Sequence, residues 1–355
     1  MNLHELFTPA AIAAHWEEVA SNQIPYLGSG LFPAQKKAGL DLAWIKGAQG
    51  LPVSLMPSAF DAKATFRERE GLSLTETEMP FFREGFKVKE KDRQEMLRIT
   101  EKNDPYLNEI LSRLYNDADN LIGGANVVPE RMIMQLLFPT NNGKPGISIK
   151  ANGTTYVYDY DPNGTWTASN YFALSTGTWD DPTAADPFND IQTAQDAVSA
   201  TAGTVPTKAI MNKNTFNLLA KTDAVKNRFL STSGISLGYI SGNDVKRVMA
   251  DTNGIEILVY DKQYKDESKV ATKFVPDGYV ALVPEGALGN TWYGTTPEEA
   301  DLRGNAAASV ALVNTGVAIT QIVDTHPVNV NTFASEIVLP SYERMDEVAV
   351  LKVVQ

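Results

Sequence analysis

Residues 104–138 constrain this chain more than any other stretch. They read DPYLNEILSRLYNDADNLIGGANVVPERMIMQLLF. Apolar side chains recur at Leu107, Ile110/Leu111, Leu114, Ala118, Leu121/Ile122, Ala125, Val128, Met132/Ile133 and Leu136/Leu137. That spacing is helical, and it predicts one amphipathic helix of about 52 Å at 1.5 Å per residue. Asp104 is a capping residue, and Pro105 suits the first helical position, where its missing N–H costs nothing. Phe138-Pro139 with Gly143 beyond is a stop. Gly123-Gly124 and Pro129 are expected to bend or break the rod. A helix longer than a small domain is wide needs an extended partner surface.

The segments before it read as an arm and a projecting hairpin. Thr8 caps a short helix starting at Pro9, and residues 22–33 are irregular yet apolar, with Ile24, Tyr26, Leu27, Leu31 and Phe32. An aperiodic apolar stretch is expected to lie along another surface. Residues 46–86 read as extended β. Leu51–Pro57 is strand-like, and 63–69 and 73–79 alternate around a turn at Glu70-Gly71. Two strands with so few large apolar residues do not stand alone, so a hairpin stabilised by neighbours is expected. The densest basic cluster, Phe86–Arg98, is interleaved with Glu84, Glu90, Asp92 and Glu95. It reads as a solvated helix face, with a short helix over 89–98.

After the long helix, 146–161 is a hairpin turning at Ala151-Asn152-Gly153, and 162–185 is loop. The texture then alternates between helix and strand. Asp186-Pro187 starts a helix, 208–211 is a strand, and 214–230 is helical with an interruption near Thr222-Asp223. A helix over 243–251 stops at Gly254, and strands follow at 255–260 and 280–283. The tail is β again at 308–313, 317–323, 336–339 and 348–354, with Pro340 between the last two. The expected architecture is α+β. Strands of 146–161 and 306–355 come together in one sheet carrying the long helix, and an α/β subdomain of about 165–295 is inserted between them.

Composition excludes several function classes. The net charge of −12 argues against broad nucleic-acid binding. The absence of cysteine removes disulfides and thiolate sites. No apolar run approaches a membrane span, and no basic-then-apolar opening suggests a secretory signal. The chain also gives no hint of a cleaved propeptide. Gly234-Ile-Ser236-Leu-Gly238 matches a nucleophile elbow with Asp324 and His326 downstream. The flanks read as loop rather than strand and helix, and that acid and base stand too close together in sequence. A serine hydrolase using Ser236 is the outlying alternative. Asp159-Tyr-Asp161-Pro-Asn163-Gly164 matches half of a calcium loop, but the twelfth position is Asn170 where a glutamate is needed. It reads as a turn, as do the Asn-Gly-Thr triplets at 152 and 163. His4, His15 and His326 share no metal-binding spacing. No catalytic, cofactor-binding or metal residue is nominated, and no enzyme or cofactor is expected.

The chain resembles the phage lambda-type major capsid protein E family. The resemblance is carried by Ile24-Pro-Tyr-Leu-Gly28 with Leu31-Phe-Pro-Ala34, by Gly39-Leu-Asp-Leu-Ala-Trp-Ile-Lys-Gly47 and by Pro57-Ser-Ala-Phe-Asp-Ala-Lys-Ala-Thr65. Glu76-Thr-Glu-Met-Pro-Phe-Phe82 and Pro129-Glu-Arg-Met-Ile-Met-Gln-Leu-Leu137 add to it. It covers essentially the whole chain. It implies the Hong Kong 97-like fold of tailed-phage shells, divided into an N-terminal arm (1–45), an extended loop (46–86) and a peripheral domain (87–164 and 296–355). The peripheral domain holds the spine helix (104–138), and an axial domain (165–295) completes the map. It further implies hexamers and pentamers in an icosahedral shell around double-stranded DNA, in the virion, after assembly in the host bacterial cytoplasm. A scaffolding protein and a portal protein are implied partners, and a decoration protein occurs in some relatives. An encapsulin-like cellular compartment shell is the alternative within the same fold.

Overall fold

The computed structural model describes residues 7–20, 25–46, 73–88, 105–151, 154–233, 240–302, 308–324 and 329–355. The expected extended strands at 51–57 and 63–69 lie outside the described residues, as do the helix at 89–98 and the 234–238 motif.

The helices are α1 (Pro9–Ala20), α2 (Gly28–Leu31), α3 (Pro105–Leu137), α4 (Thr165–Asn170), α5 (Pro187–Ala202), α6 (Lys213–Lys221), α7 (Asp223–Ser233) and α8 (Gly242–Asn253). The first strands are β1 (Ala34–Lys36), β2 (Asp41–Lys46), β3 (Ser73–Glu78), β4 (Phe81–Val88), β5 (Gly146–Ala151), β6 (Thr154–Asp159), β7 (Tyr171–Ala173), β8 (Lys208–Met211) and β9 (Glu256–Val259). They continue as β10 (Gln263–Lys265), β11 (Ala271–Lys273), β12 (Tyr279–Val283), β13 (Asn290–Tyr293), β14 (Ala308–Val313), β15 (Val317–Val323), β16 (Val330–Ser341) and β17 (Ala349–Lys352). The chain divides into two compact units: Met1–Ala43 with Glu76–Met132 and Gly289–Ser341, and Trp44–Thr75 with Ile133–Leu288 and Tyr342–Gln355.

The long helix forms as its periodicity predicts, over Pro105–Leu137. It does not break. The helix runs continuously through Gly123-Gly124 and Pro129, because 33 residues of apolar stripe outweigh one lost hydrogen bond and two glycine penalties of about 1 kcal/mol each. A Cβ at Gly124 would meet open space, and one at Gly123 would lie 4.0 Å from the Trp16 ring of α1.

In the first unit a six-stranded sheet is ordered β1-β13-β16-β15-β14, with β4 also paired to β16. β16 is its hub. β15 pairs it antiparallel from Val323↔Val330 to Ala318↔Ser335, and β13 from Tyr293↔Val338 to Asn290↔Ser341. β4 takes the opposite edge, from Val88↔Val330 to Phe81↔Ile337. One face carries Val317, Ile319, Val330 and Ala334, which pack with Phe7, Ile12 and Trp16 of the N-terminal segment and with Leu114, Ala118 and Ile122 of α3. Thr8 Oγ1 accepts from the Ala11 N–H at 3.2 Å, as its capping role predicts.

Pro340 sits inside β16, where a proline is normally excluded. The Thr291 N–H opposite donates to Pro33 O and so points away from β16. Thr291↔Pro340 is therefore a pair without mutual hydrogen bonds, and the proline nitrogen faces the edge that β4 has already left.

The second unit is built on a five-stranded sheet ordered β7-β17-β12-β8-β9. Its helices start and stop as the sequence dictates. Asp186 accepts from the Asn189 N–H, Asn212 from Thr215 and Ser241 from Asp244, while Gly203 and Gly254 take left-handed conformations at φ 72° and 66°. Ile191, Ala194 and Val198 of α5 pack on Ala209, Met211, Ile257, Val280, Leu282, Ala349 and Leu351 of the sheet. Each large side chain so buried contributes roughly 1.5–3 kcal/mol.

Several expectations are corrected. The strands of 146–161 do not join the C-terminal strands: β5 and β6 close on each other, from Gly146↔Asp159 to Ala151↔Thr154, as their own two-stranded sheet. β17 is a central strand of the five-stranded sheet, antiparallel to β12 and parallel to β7. Ala349, Val350 and Leu351 are fully buried, and an all-apolar strand needs neighbours on both sides. Phe86–Val88 belongs to strand β4, not to a helix face, and Lys87 lies across from Asn331. Within 162–185, expected as loop, the chain forms α4 and β7.

Candidate functional site

Asp161 shows what the half-matched calcium loop does. It is fully buried, and its two carboxylate oxygens accept from the Trp166 and Thr167 N–H groups at 3.2 and 2.8 Å and from the Thr165 and Thr167 hydroxyls at 3.3 and 2.8 Å. The Asp159 carboxylate accepts from the Asp161 N–H at 2.9 Å. A carboxylate saturated by protein donors has no lone pair left for a cation. Its work is to start α4. That helix then places Trp166, whose Nε1 donates to Met345 O at 2.8 Å, and Asn170, whose Nδ2 donates to Asp346 O and Val348 O at 3.0 and 2.8 Å. These bonds fix the turn that feeds β17. Among the described residues no group of three or more His, Cys, Asp or Glu is gathered as a metal would require.

The hydrolase alternative rests on Ser236 and His326, which lie outside the described residues. Asp324 is described, and its Oδ2 accepts from Asn331 Nδ2 at 2.7 Å. His15, the one described histidine, has Nε2 3.1 Å from Asp119 Oδ2 and its ring 4.7 Å from that of Tyr115. It ties α1 to α3 and takes part in no wider cluster.

Several charged side chains of the first unit are missed by sequence reasoning. Glu298 and Glu299 stand in a π-helical turn, Glu298–Leu302. Glu298 pairs with Arg83 of β4, and Glu299 with Lys36 of β1 at 2.5 Å. The two adjacent acids thus hold the strand that leads into residues 37–80 and the strand that leaves them. The Glu130 carboxylate of α3 accepts from the Gly28 N–H at 2.9 Å, which anchors α2. Glu336 on β16 is 1% exposed, and both its oxygens are buried without a hydrogen-bond partner. Burial pushes its carboxyl well above the usual carboxylate range. Burial, and next the nearby Glu336, raise the Tyr293 phenol. No alternation or spacing signals such an acid, since Glu336 sits within an ordinary strand pattern.

A sheet fed by strands from the N-terminal, middle and C-terminal parts of the chain, a long helix laid along it and a separate α/β unit define a phage capsid-type fold. Solved structures share it. A prophage protein of E. coli CFT073 described as a capsid protein superposes with a TM-score of 0.59 at 12% identity, covering 98% of this chain and 99% of that one. A phage-related protein of Bordetella bronchiseptica RB50 gives 0.56 at 13% identity, covering 97% of each chain. The capsid asymmetric unit of cyanophage A-1(L) gives 0.54 at 12% identity, covering 91% of each. No curated protein sequence matches significantly. The family model for phage major capsid protein E matches residues 8–353, and the chain belongs to that family. The fold is thus Hong Kong 97-like, and the family is one of structural shell proteins that assemble from many copies.

Proposed function

We propose that this chain is the major capsid subunit of a tailed bacteriophage, assembling into hexamers and pentamers of an icosahedral shell around packaged double-stranded DNA. The observation that carries the proposal is the family match over residues 8–353 on a capsid-type fold. The physics agrees. A net charge of −12 keeps a shell from adhering to dense DNA. Strength then comes from contacts between subunits, and obligate interfaces commonly exceed about 2,000 Å². In this reading 1–45 is the arm, 46–86 the extended loop, 87–164 with 296–355 the peripheral domain and 165–295 the axial domain. The five-stranded sheet of the axial domain also draws in β17. Gly123-Gly124 and Pro129 are flexing points of the continuous spine. A scaffolding protein and a portal are partners, a decoration protein is an optional one, and the subunit itself carries no catalytic activity. Assembly takes place in the host cytoplasm, and the product is the virion.

Electron microscopy and sedimentation of the chain, alone and co-expressed with its scaffold, test the proposal. The expected result is megadalton particles whose regular size depends on the scaffold. Closed, protein-filled particles from the chain alone would point to a cellular compartment shell. A monomer with esterase activity lost in Ser236→Ala would overturn the shell reading altogether.

A further inference from the structure

Where β16 changes neighbours, it buries an acid that has nothing to bond. On one edge β15 leaves at Ala318↔Ser335 and β13 takes over at Tyr293↔Val338. Glu336 and Ile337 fall in the gap, bridged by the Gly294 N–H donating to Ile337 O at 2.9 Å. The sheet therefore forks at Glu336. On its own face the acid stands between Ala334 and Val338, with Phe82 of β4 directly across. Ala334 belongs to the apolar cluster that includes Ile122 and Ile319.

The charged groups around this fork are elsewhere engaged. β13 contributes the Tyr293 phenol, raised by burial and by Glu336 itself. On β4, Glu84 shares the face but is exposed, while Arg83 points to the other face and pairs with Glu298. β15 has no ionisable residue from Val317 to Val323. On the helices, His15 pairs with Asp119, and Glu130 accepts from Gly28. Burial is the single cause of the raised Glu336 carboxyl, so no positive charge on α1, α3, β4 or β15 offsets it.

We infer that Glu336 is a proton-held latch: neutral while the fork between β15 and β13 is closed, and driving the fork open when it ionises. A carboxylate cannot stay dry among Phe82, Ala334 and Val338, and because its oxygens make no hydrogen bond in the closed sheet, ionisation favours admitting water between the strands. The folded sheet holds a proton that the opened state releases. Stability contributed by that proton is complete below the ordinary glutamate value of about 4.3. It is lost as pH rises toward the folded value, with the opening equilibrium changing up to tenfold per pH unit. The inference does not depend on the capsid reading.

Hydrogen exchange on the full chain, corrected for intrinsic rates and followed from mildly acidic to mildly alkaline pH, tests it. In peptides from 290–293, 317–323 and 330–341 the wild-type opening constant should climb with pH, while Glu336→Gln should show no such climb. Glu336→Met serves the same comparison if the glutamine variant fails to fold. Infrared spectra of the protein carrying 13C-labelled glutamate should show a protonated carboxyl at neutral pH that the variant lacks. Parallel pH profiles in wild type and variant, or no protonated carboxyl in the wild-type spectrum, would overturn the latch.

Discussion

The polar side chains buried around the five-stranded sheet and those buried along the middle of the six-stranded one differ in what they bond. In the five-stranded sheet's unit, each of several deeply buried polar side chains finishes something. Asp161 starts α4, Asn170 holds the turn before β17, and Gln195 donates to Pro206 O at 2.8 Å. Asn212 and Thr215 bond to each other at 2.9 Å and reach Val275 O and the Gly278 N–H. In the six-stranded sheet Thr320, Thr332, Ser335 and Glu336 are at most 1% exposed, and each has a side-chain oxygen with no partner. Native proteins leave few such groups. The unpartnered oxygens on Thr320, Thr332, Ser335 and Glu336 are a local cost that apolar packing must offset, and β15 and β16 are expected to open more easily for it.

The comparison can be broken in order of effect. Trp166→Ala should cost the second unit about 3–5 kcal/mol, since it removes a buried indole and orphans Met345 O. Denaturant unfolding read by exchange in 165–170 and 345–352 would show it, and a loss under about 1 kcal/mol would dismiss Trp166 as an anchor. Asp161→Ala should cost roughly 2 kcal/mol by stripping four donors of their acceptor. Added calcium should leave the wild-type melting temperature unchanged; a rise would restore the cation-loop reading. A matched pair then tests the contrast itself. Thr332→Val should stabilise the first unit by about 1 kcal/mol, because an unbonded hydroxyl is replaced by a methyl of like size. Thr215→Val should destabilise the second by about 1–2 kcal/mol, because it leaves Asn212 and Gly278 short of a partner. Equal signs would erase the distinction. The smallest effect is expected from Gly124→Ala, which adds a methyl into open space and should raise helix stability by about 1 kcal/mol. Unaltered change of particle curvature in that variant would count against a flexing spine.

The same contrast explains what was legible in the chain. The second unit is written locally. Asp186-Pro187 announces a helix start and Gly254 a stop, the break near 222 falls where it is expected, and the caps Asn212 and Ser241 lie within two or three residues of the expected starts. The first unit is written at long range. β1 is three residues that acquire strand form only by lying parallel to β13, and the first half of β16, Val-Asn-Thr-Phe-Ala-Ser, looks polar until β15 and β4 close on it. Pro340 invited a division at the wrong place, because its tolerance depends on where β4 ends. Periodicity alone set out α3, but not its persistence through Gly123-Gly124. The capsid-type architecture came from motif resemblance, not from periodicity. The buried acid at 336 had no motif to betray it, because only the fork makes it unusual.

Pro340 has one more consequence. Beyond Ile337 the Val338 N–H still donates to Pro80 O at 3.4 Å, and Pro80 and Pro340, one on each strand, have no N–H to offer. A ladder along that edge of β16 therefore lacks two of its donors. The ring that seemed to interrupt the strand is a selvedge: it withholds a donor from any strand that would lengthen this edge.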